Sequence, residues 1–385
     1  MIESPYNLFL TCIQGFETTC SQELKSIGIS HRKITKGGVS FFGTMEDIYK
    51  VNYLSRTGMI LWVEICSINI KNEHTIYNSV YKNDWEKLFK TNYTFSFKCI
   101  QKIKKFKNTH YIALKGKDAI VDYFTKKKLV RPSVNTKSGD LNFLILIDKT
   151  NSKLLMNTSG YPLYKRNYKS IAYSAPINEV LASSIIKFIE WNKQDKLFDP
   201  FCGSGTIAIE AAQILKNIPA GKFRKNWAFY HLPEFDKLYW ENFRDETNAK
   251  IKIVNEIFIH ASDINNNSIQ IAKIHAKKAN VEQNIKFRNT DIKNWFPFSE
   301  KGKIVTNPPY GIRLNSENEL KYLYSKFGDI LKNRCENFVA YLICGNRDLI
   351  KKIGLQTFLK LPLRIGNLDG RLIGYKIYKG SKKKV

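Results

Sequence analysis

Eight residues constrain the second half of this 385-residue chain more than any other feature. Asp199-Pro200-Phe201-Cys202-Gly203-Ser204-Gly205-Thr206 stands between the short run Lys196 to Phe198 and the apolar helical run Ile207 to Leu215. An acid at a strand end, followed by two glycines one residue apart, describes a tight strand-to-helix turn whose backbone comes close to a ligand at the helix N-terminus. The same rhythm continues downstream. Strands are expected at Ile257 to Ala261, Ile285 to Arg288, Ile304 to Asn307 and Phe338 to Cys344, and Leu320, Tyr324, Phe327 and Leu331 form the apolar stripe of the helix before the last strand. Strand, turn and helix in alternation from Tyr161 onward predict an α/β fold with a doubly wound parallel sheet. Gly366, Gly370 and Gly374 punctuate two last β segments, which fits a closing hairpin.

The turn narrows the ligand. Dinucleotide binding wants a third glycine, where Ala208 stands, and an acid about 20 residues on, but the next acid at a strand end is Asp263. A phosphate-binding P-loop is excluded for lack of Gly-Lys-Ser/Thr. Asp199 would repel a pyrophosphate and suits a cationic head such as an α-amino group. Asp263 is placed to take both hydroxyls of a ribose, and Asp291, after the third strand, to reach an adenine amine. Each acid alone is as readily a helix cap. The three at successive strand ends describe a site for an adenosine that bears an amino acid.

Thr306-Asn307-Pro308-Pro309-Tyr310-Gly311 ends the fourth strand. Two prolines release the backbone from the sheet ladder, leaving the Asn307 side-chain carbonyl and the Pro308 carbonyl as acceptors at the sheet edge. An exocyclic aromatic amine is a poor nucleophile because its lone pair is delocalised into the ring. Two acceptors on its N–H bonds, with Tyr310 stacked on the base, would localise that lone pair and aim it at a methyl group.

The front half reads as two further α/β sets. Leu8 to Cys12, Val39 to Gly43 and Ile60 to Ile65 are expected strands, with helices at Phe16 to Ile27 and Met45 to Leu54, a small split βαβ unit. Thr94 to Ile100 and Leu141 to Ile147 are expected strands around a helix from Gly116 to Lys127. The formal charge of +28 is clustered: in the front half residues 101–139 hold 11 Lys and Arg against 2 Asp and Glu, and at the C-terminal end residues 351–385 hold 10 against 1. Local basic patches favour a polyanionic partner, most plausibly nucleic acid. Seven cysteines without CxxC spacing argue for reduced thiols and against a thiolate metal site. No apolar run reaches the length of a membrane span and no leader is readable at the N-terminus, so a cytoplasmic protein is expected.

The turn at Asp199 to Thr206, taken with Thr306 to Gly311, resembles the class I S-adenosylmethionine-dependent amino-methyltransferases. The nearer likeness is to the THUMP-domain RNA guanine-N2 methyltransferases of the bacterial 23S ribosomal RNA type. Gln14-Gly15-Phe16-Glu17 with Glu23-Leu24, Lys117 to Asp122 with Arg131-Pro132, Asn157 to Gly160, Leu163 to Arg166 and Ser174 to Ile177 carry it over nearly the whole chain. Asn167 stands where the family usually has Gly, and Ile312 where an acid commonly follows the Asn-Pro-Pro-Tyr-Gly motif. The resemblance implies a ferredoxin-like domain over residues 1–65, a THUMP RNA-binding domain over 66–158 and a Rossmann-like methyltransferase domain over 159–385, with a mostly parallel seven-stranded sheet. It implies S-adenosylmethionine as cofactor, bound by Ser174, Ala175, Pro176, Asp199, Phe201, Gly203, Gly205, Thr206, Asp263, Ile264, Asp291, Ile292 and Asn307. Catalysis then falls to Asn307, Pro308, Pro309 and Tyr310, with no metal. RNA contact falls to Lys115, Lys117, Lys126, Lys127, Lys128, Arg131, Lys165 and Arg166, in a protein expected to act as a monomer. The substrate it implies is ribosomal RNA, with transfer RNA second. The Asn-Pro-Pro-Tyr motif also serves DNA adenine-N6 methylation, against which the THUMP-like front half argues. An RNA-binding assembly factor with a vestigial site is the alternative from another class.

Overall fold

The computed structural model describes all residues except 1–3, 89, 137–138, 174–176, 311–316, 366–367 and 380–385, and the chain divides into two compact units. The first comprises residues up to Cys12, then Cys20–Lys165 and Arg224–Glu246. Its strands are β1 (Tyr6–Cys12), β2 (Lys33–Thr35), β3 (Gly38–Gly43), β4 (Gly58–Ser67), β5 (Phe95–Gln101), β6 (Leu141–Ile147) and β7 (Lys153–Asn157), in the order β2-β3-β1-β4-β7-β6-β5. The two α/β sets of the front half therefore share one sheet, joined where β4 pairs antiparallel with β7. β1 buries Tyr6, Leu8, Leu10 and Cys12 on alternate positions, the period of a strand with one covered face. β6 is buried at five of its seven positions, in keeping with its apolar run.

The helix Met45–Leu54 lies where it is expected and opens on a capping box between Thr44 and Asp47. The helix expected from Gly116 begins earlier, spanning Thr109–Lys126 behind an Asn108 cap. Gly116 is not a start signal. A Cβ there would lie 2.7 Å from the Phe97 ring and 2.9 Å from Ile145, so the glycine lets the helix settle onto the sheet. A further helix, Glu73–Tyr81, starts from its Asn72 cap and buries Ile76 and Val80, four residues apart on one face.

Residues 224–246, expected to continue the methyltransferase segment, pack within the first unit. Their aromatic side chains explain this: Phe229 lies 5.2 Å from Tyr49 and 5.1 Å from Trp240, and Trp240 lies 5.4 Å from Tyr53. Arg224 anchors the segment. Its buried guanidinium donates to the carbonyls of Ser159, Tyr161, Pro162 and Lys165 and lies 3.9 Å from the Tyr161 ring and 4.4 Å from that of Trp227.

The second unit holds Ile13–Thr19, Arg166–Phe223 and the residues from Thr247 onward. Its strands are β8 (Leu197–Asp199), β9 (Ile259–Asp263), β10 (Ile285–Asn289), β11 (Gly302–Thr306), β12 (Phe338–Cys344), β13 (Thr357–Ile365) and β14 (Leu368–Lys376). The order is β10-β9-β8-β11-β12-β14-β13, with β8 to β12 parallel and β14 antiparallel to both its neighbours. This is the expected Rossmann-like sheet of seven strands with its closing hairpin. Helices Glu179–Phe188, Thr206–Leu215 and Asn266–Lys278 bury apolar residues in one core, and Glu317–Arg334 buries Leu320, Tyr324, Phe327 and Leu331 in another that contains Phe198, Ile304 and Phe338. No helix among the described residues is long and apolar enough to cross a membrane.

Removing Arg224 leaves the buried carbonyl of Ser159 and the partly buried ones of Tyr161, Pro162 and Lys165 without their donor, at a cost on the order of 1 kcal/mol for each that water cannot reach. Arg224→Ala is expected to lower the stability of the first unit by about 3 kcal/mol, read as a lower urea midpoint for the unfolding of that unit.

Candidate functional site

Strand order reverses between β8 and β11, which are neighbours in the sheet. In an open parallel sheet this opens a crevice beyond their carboxyl ends. Asp199, the last residue of β8, is 2% exposed. Thr306, the last of β11, donates from Oγ1 to Asp199 Oδ1 at 2.6 Å and accepts the Phe201 N–H at 3.2 Å. The other carboxylate oxygen, Oδ2, is buried and makes no hydrogen bond among the described residues. Burial pushes the Asp199 carboxyl up to about 7, aided by the charge of Asp263 and opposed by the bonds from Thr306 and the Phe201 amide. An acid held in this way lacks a cation, and a ligand ammonium group would supply one.

Gly203 and Gly205 have φ of 51° and 79°, backbone that side-chain-bearing residues adopt at a cost. Gly205 is the N-cap of helix Thr206–Leu215, so the turn presents backbone N–H groups toward the crevice. Asp263 is the last residue of β9. Its Oδ2 accepts Gly203 N–H and its Oδ1 accepts Asn265 N–H, both at 2.9 Å, which fixes the turn and leaves one lone pair on each oxygen for a ligand. Asp291 follows β10 and caps the short turn Ile292–Asn294 through a 2.9 Å bond to Lys293 N–H. The acids at 199, 263 and 291 thus stand in a row at the ends of three adjacent strands. Ile264 is 67% exposed and Ile292 packs in the core beside Phe198 and Trp295. Phe201 meets Phe327 edge-on at 5.1 Å.

Asn307, directly after β11, keeps its Oδ1 buried without a hydrogen bond among the described residues. Pro308 is buried, Pro309 exposed and Tyr310 half-buried. The Tyr310 ring lies against Gly345, where a Cβ would come within 2.9 Å of it. Burial raises the Tyr310 hydroxyl above its ordinary value. Two unsatisfied acceptors therefore stand at the ends of neighbouring strands: an acid oxygen suited to a cation and an amide oxygen suited to an N–H. Ser174, Ala175 and Pro176 lie outside the described residues, as does Ile312. Tyr173, just before the first of these, sits on Gly203 and pairs with Ser268 Oγ at 3.0 Å.

Three residues of the site escaped the sequence reading. Thr306 opens the Thr306 to Gly311 motif, and a hydroxyl at the end of the strand beside β8 is the signal of its role. Gly345 and Tyr173 offered none, since each acts through a neighbour distant in sequence.

The cations expected to touch RNA divide. Lys126, Lys128, Arg131 and Lys165 are exposed. Lys126 lies 5.0 Å from the Tyr81 ring, and Lys115 5.3 Å from that of Tyr111. Lys117 is paired with Asp118 at 2.7 Å, and Lys127 with Glu86 and the Tyr123 hydroxyl, which raise its ammonium above the ordinary value. Arg166 is a correction. It is 1% exposed, with Nε 3.9 Å from the carboxylate of buried Glu210, and serves the core of the second unit rather than an RNA surface.

Models of known families match in chain order: an RlmL ferredoxin-like domain over residues 7–59, a THUMP domain over 71–155 and an RMKL-like methyltransferase domain over 166–373. A Synechocystis protein named as an RNA methyltransferase is 30% identical over 97% of this chain and 97% of its own length. The ribosomal RNA large subunit methyltransferase K/L of Psychromonas ingrahamii is 32% identical over 96% of this chain, which spans 50% of that longer protein. The crystal structure of SMU.472, named as a methyltransferase and solved with SAH, superposes with a TM-score of 0.86 at 25% identity and covers 98% of this chain and 99% of its own. The orphaned oxygen of Asp199 and the glycine turn fit a cofactor of that kind.

The Asp199 carboxyl in the folded chain is raised above the unfolded value of 3.8. The folded state therefore binds the proton more tightly, and ionisation costs stability progressively as pH climbs from about 4 through about 7. Asp199→Asn removes that cost. The ligand-free variant is expected to match wild type at pH 4 and to exceed it at pH 8 by on the order of 2–4 kcal/mol in denaturant titrations, while losing affinity for SAH.

Proposed function

The chain belongs to the RMKL-like methyltransferase family, and from that premise we propose that it moves a methyl group from S-adenosylmethionine to the N2 amine of a guanine in large-subunit ribosomal RNA. The observation that carries the reading is the pair of buried acceptors without partners, Asp199 Oδ2 and Asn307 Oδ1. The name of the K/L relatives supports ribosomal RNA, and the match to a THUMP domain supports RNA in general. The same reading has the protein acting as a monomer in the cytoplasm.

Asp199 holds the ammonium group of the cofactor's amino acid, Asp263 its ribose hydroxyls and Asp291 its adenine amine, with Gly203 and Gly205 admitting the ligand against the backbone. The cofactor supplies an electrophilic methyl on a sulfonium sulfur. Asn307 Oδ1 and the Pro308 carbonyl accept the two N–H bonds of the guanine amine, while Tyr310, supported by Gly345, stacks on the extruded base. The grip localises the nitrogen lone pair toward the methyl carbon, so that the N–C bond forms as the S–C bond breaks and the surplus proton leaves to water. Rate comes from position and preorganised acceptors, and no side chain is assigned as a base. The exposed cations Lys126, Lys128, Arg131 and Lys165 contact the phosphate backbone.

Asn307→Ala is expected to lower methyl transfer to RNA by about 10²–10³-fold with SAH still bound, measured with tritiated cofactor; undiminished transfer would sink the mechanism. Mapping methylated guanines in cells with and without the protein should lose one signal in large-subunit ribosomal RNA; a loss confined to transfer RNA would reassign the substrate. Lys126→Glu with Lys128→Glu should weaken RNA binding and flatten its salt dependence by roughly 1.5–2 in log–log slope. An unchanged slope would leave the patch as solvated surface.

A further inference from the structure

A second built recess lies on the outer strands of the same sheet. Along β9, Ile259 and Ala261 enter the core shared with helix Thr206–Leu215, so His260 and Ser262 belong to the opposite face. Register places Lys286 beside His260 and Arg288 beside Ser262. Between β10 and β11 this face is covered by the short turn Ile292–Asn294 and the loop after it, rather than by a full helix. The result is a shallow, open recess whose lining includes His260, Ser262, Lys286, Arg288, Phe296 and Phe298.

Its chemistry is one-sided. No acid lines it. Lys286 and Arg288 make no ion pair or hydrogen bond among the described residues, and the Arg288 guanidinium lies 3.7 Å from the centre of the Phe298 ring, which leaves its in-plane donors free. Phe296 and Phe298 are 53% and 42% exposed and pack edge to face at 5.0 Å. Two polar atoms at the floor are buried without partners among the described residues: Ser262 Oγ, on a side chain 4% exposed, and His260 Nδ1. Such atoms normally find a partner. His260 stacks on Phe198 at 5.1 Å and is held neutral to about 4 by burial, with Lys196, Arg288 and Lys286 adding to the effect.

Exposed rings beside unpaired cations, over unsatisfied polar atoms, match a base that carries a phosphate. We infer that this recess is a second nucleotide site, separate from the acids at 199, 263 and 291, in which the base lies on Phe296 and Phe298, Lys286 and Arg288 hold the phosphate, and Ser262 and His260 bond the base edge. The nucleotide is either free or a unit of an RNA strand. The inference rests on the recess alone and stands whether or not N2 of guanine is the methyl acceptor.

The test titrates the full-length protein, saturated with SAH so that the cofactor edge is filled, with GMP, AMP, a short RNA and inorganic phosphate. The readout is the His260 imidazole resonance, assigned through His260→Gln. A nucleotide should shift that resonance and raise its titration midpoint by about one pH unit, phosphate alone doing far less. Lys286→Ala and Arg288→Ala should each weaken nucleotide affinity roughly tenfold while leaving SAH affinity unchanged. A response to mononucleotides identifies a free nucleotide as the occupant, and a response to RNA alone identifies the strand. Silence of His260 toward every nucleotide, an equal response to inorganic phosphate, displacement by SAH, or unchanged affinity in both alanine variants would overturn the assignment.

Discussion

The hydroxyl of Thr306 ties together the two strands between which the second sheet changes direction. It gives its proton to Asp199 and takes the amide proton of Phe201, so one side chain on β11 fixes both the acid that ends β8 and the first bend of the turn after it. The rest of the crevice follows from that tie. The glycine turn starts from a fixed point, Asp263 fastens it from the other side through Gly203, and the chain leaving Thr306 delivers Asn307 to the same edge. Asp199 Oδ1 is thereby spoken for, and Oδ2 is left for a ligand. Binding strength and a standing cost to the fold come from the same buried carboxylate, as expected where a site is prepared in advance of its ligand.

The periodic parts of this fold were legible in the sequence. Every strand of the parallel core lies within two residues of where it is expected, and the stripe from Leu320 to Leu331 is buried as its spacing predicts. The row of acids was legible too, because each sits where a strand stops. The hidden features are those decided by partners far away in the chain. Gly116 looks like a helix boundary in one dimension and is a packing surface in three. Arg166 stands next to Lys165 in sequence, yet one is buried against Glu210 and the other exposed, and nothing in the local composition separates them. The aromatic residues between 224 and 246 read as more methyltransferase until the rings of Tyr49 and Tyr53 are seen to receive them.

Charge needed the same sorting. The basic stretch at 101–139 looks uniform as a string, but pairing with Asp118 and Glu86 removes Lys117 and Lys127 from the supply of free cations. Lys286 and Arg288, by contrast, lie outside both charge clusters. Their significance comes from register, which sets them beside His260 and Ser262 on one face of the sheet.

The first unit ends with residues 224–246, after the chain has already built part of the second. Neither unit is a continuous stretch of polypeptide. During synthesis the N-terminal sheet waits for Trp227, Phe229 and Trp240 until well over half the chain has left the ribosome, so its aromatic core closes late. A cut at the border between residues 158 and 159 would yield two fragments, one lacking its last layer and the other carrying it without a host. Exchanging everything after that border for a relative's sequence would therefore also replace residues 224–246, a part of the first unit.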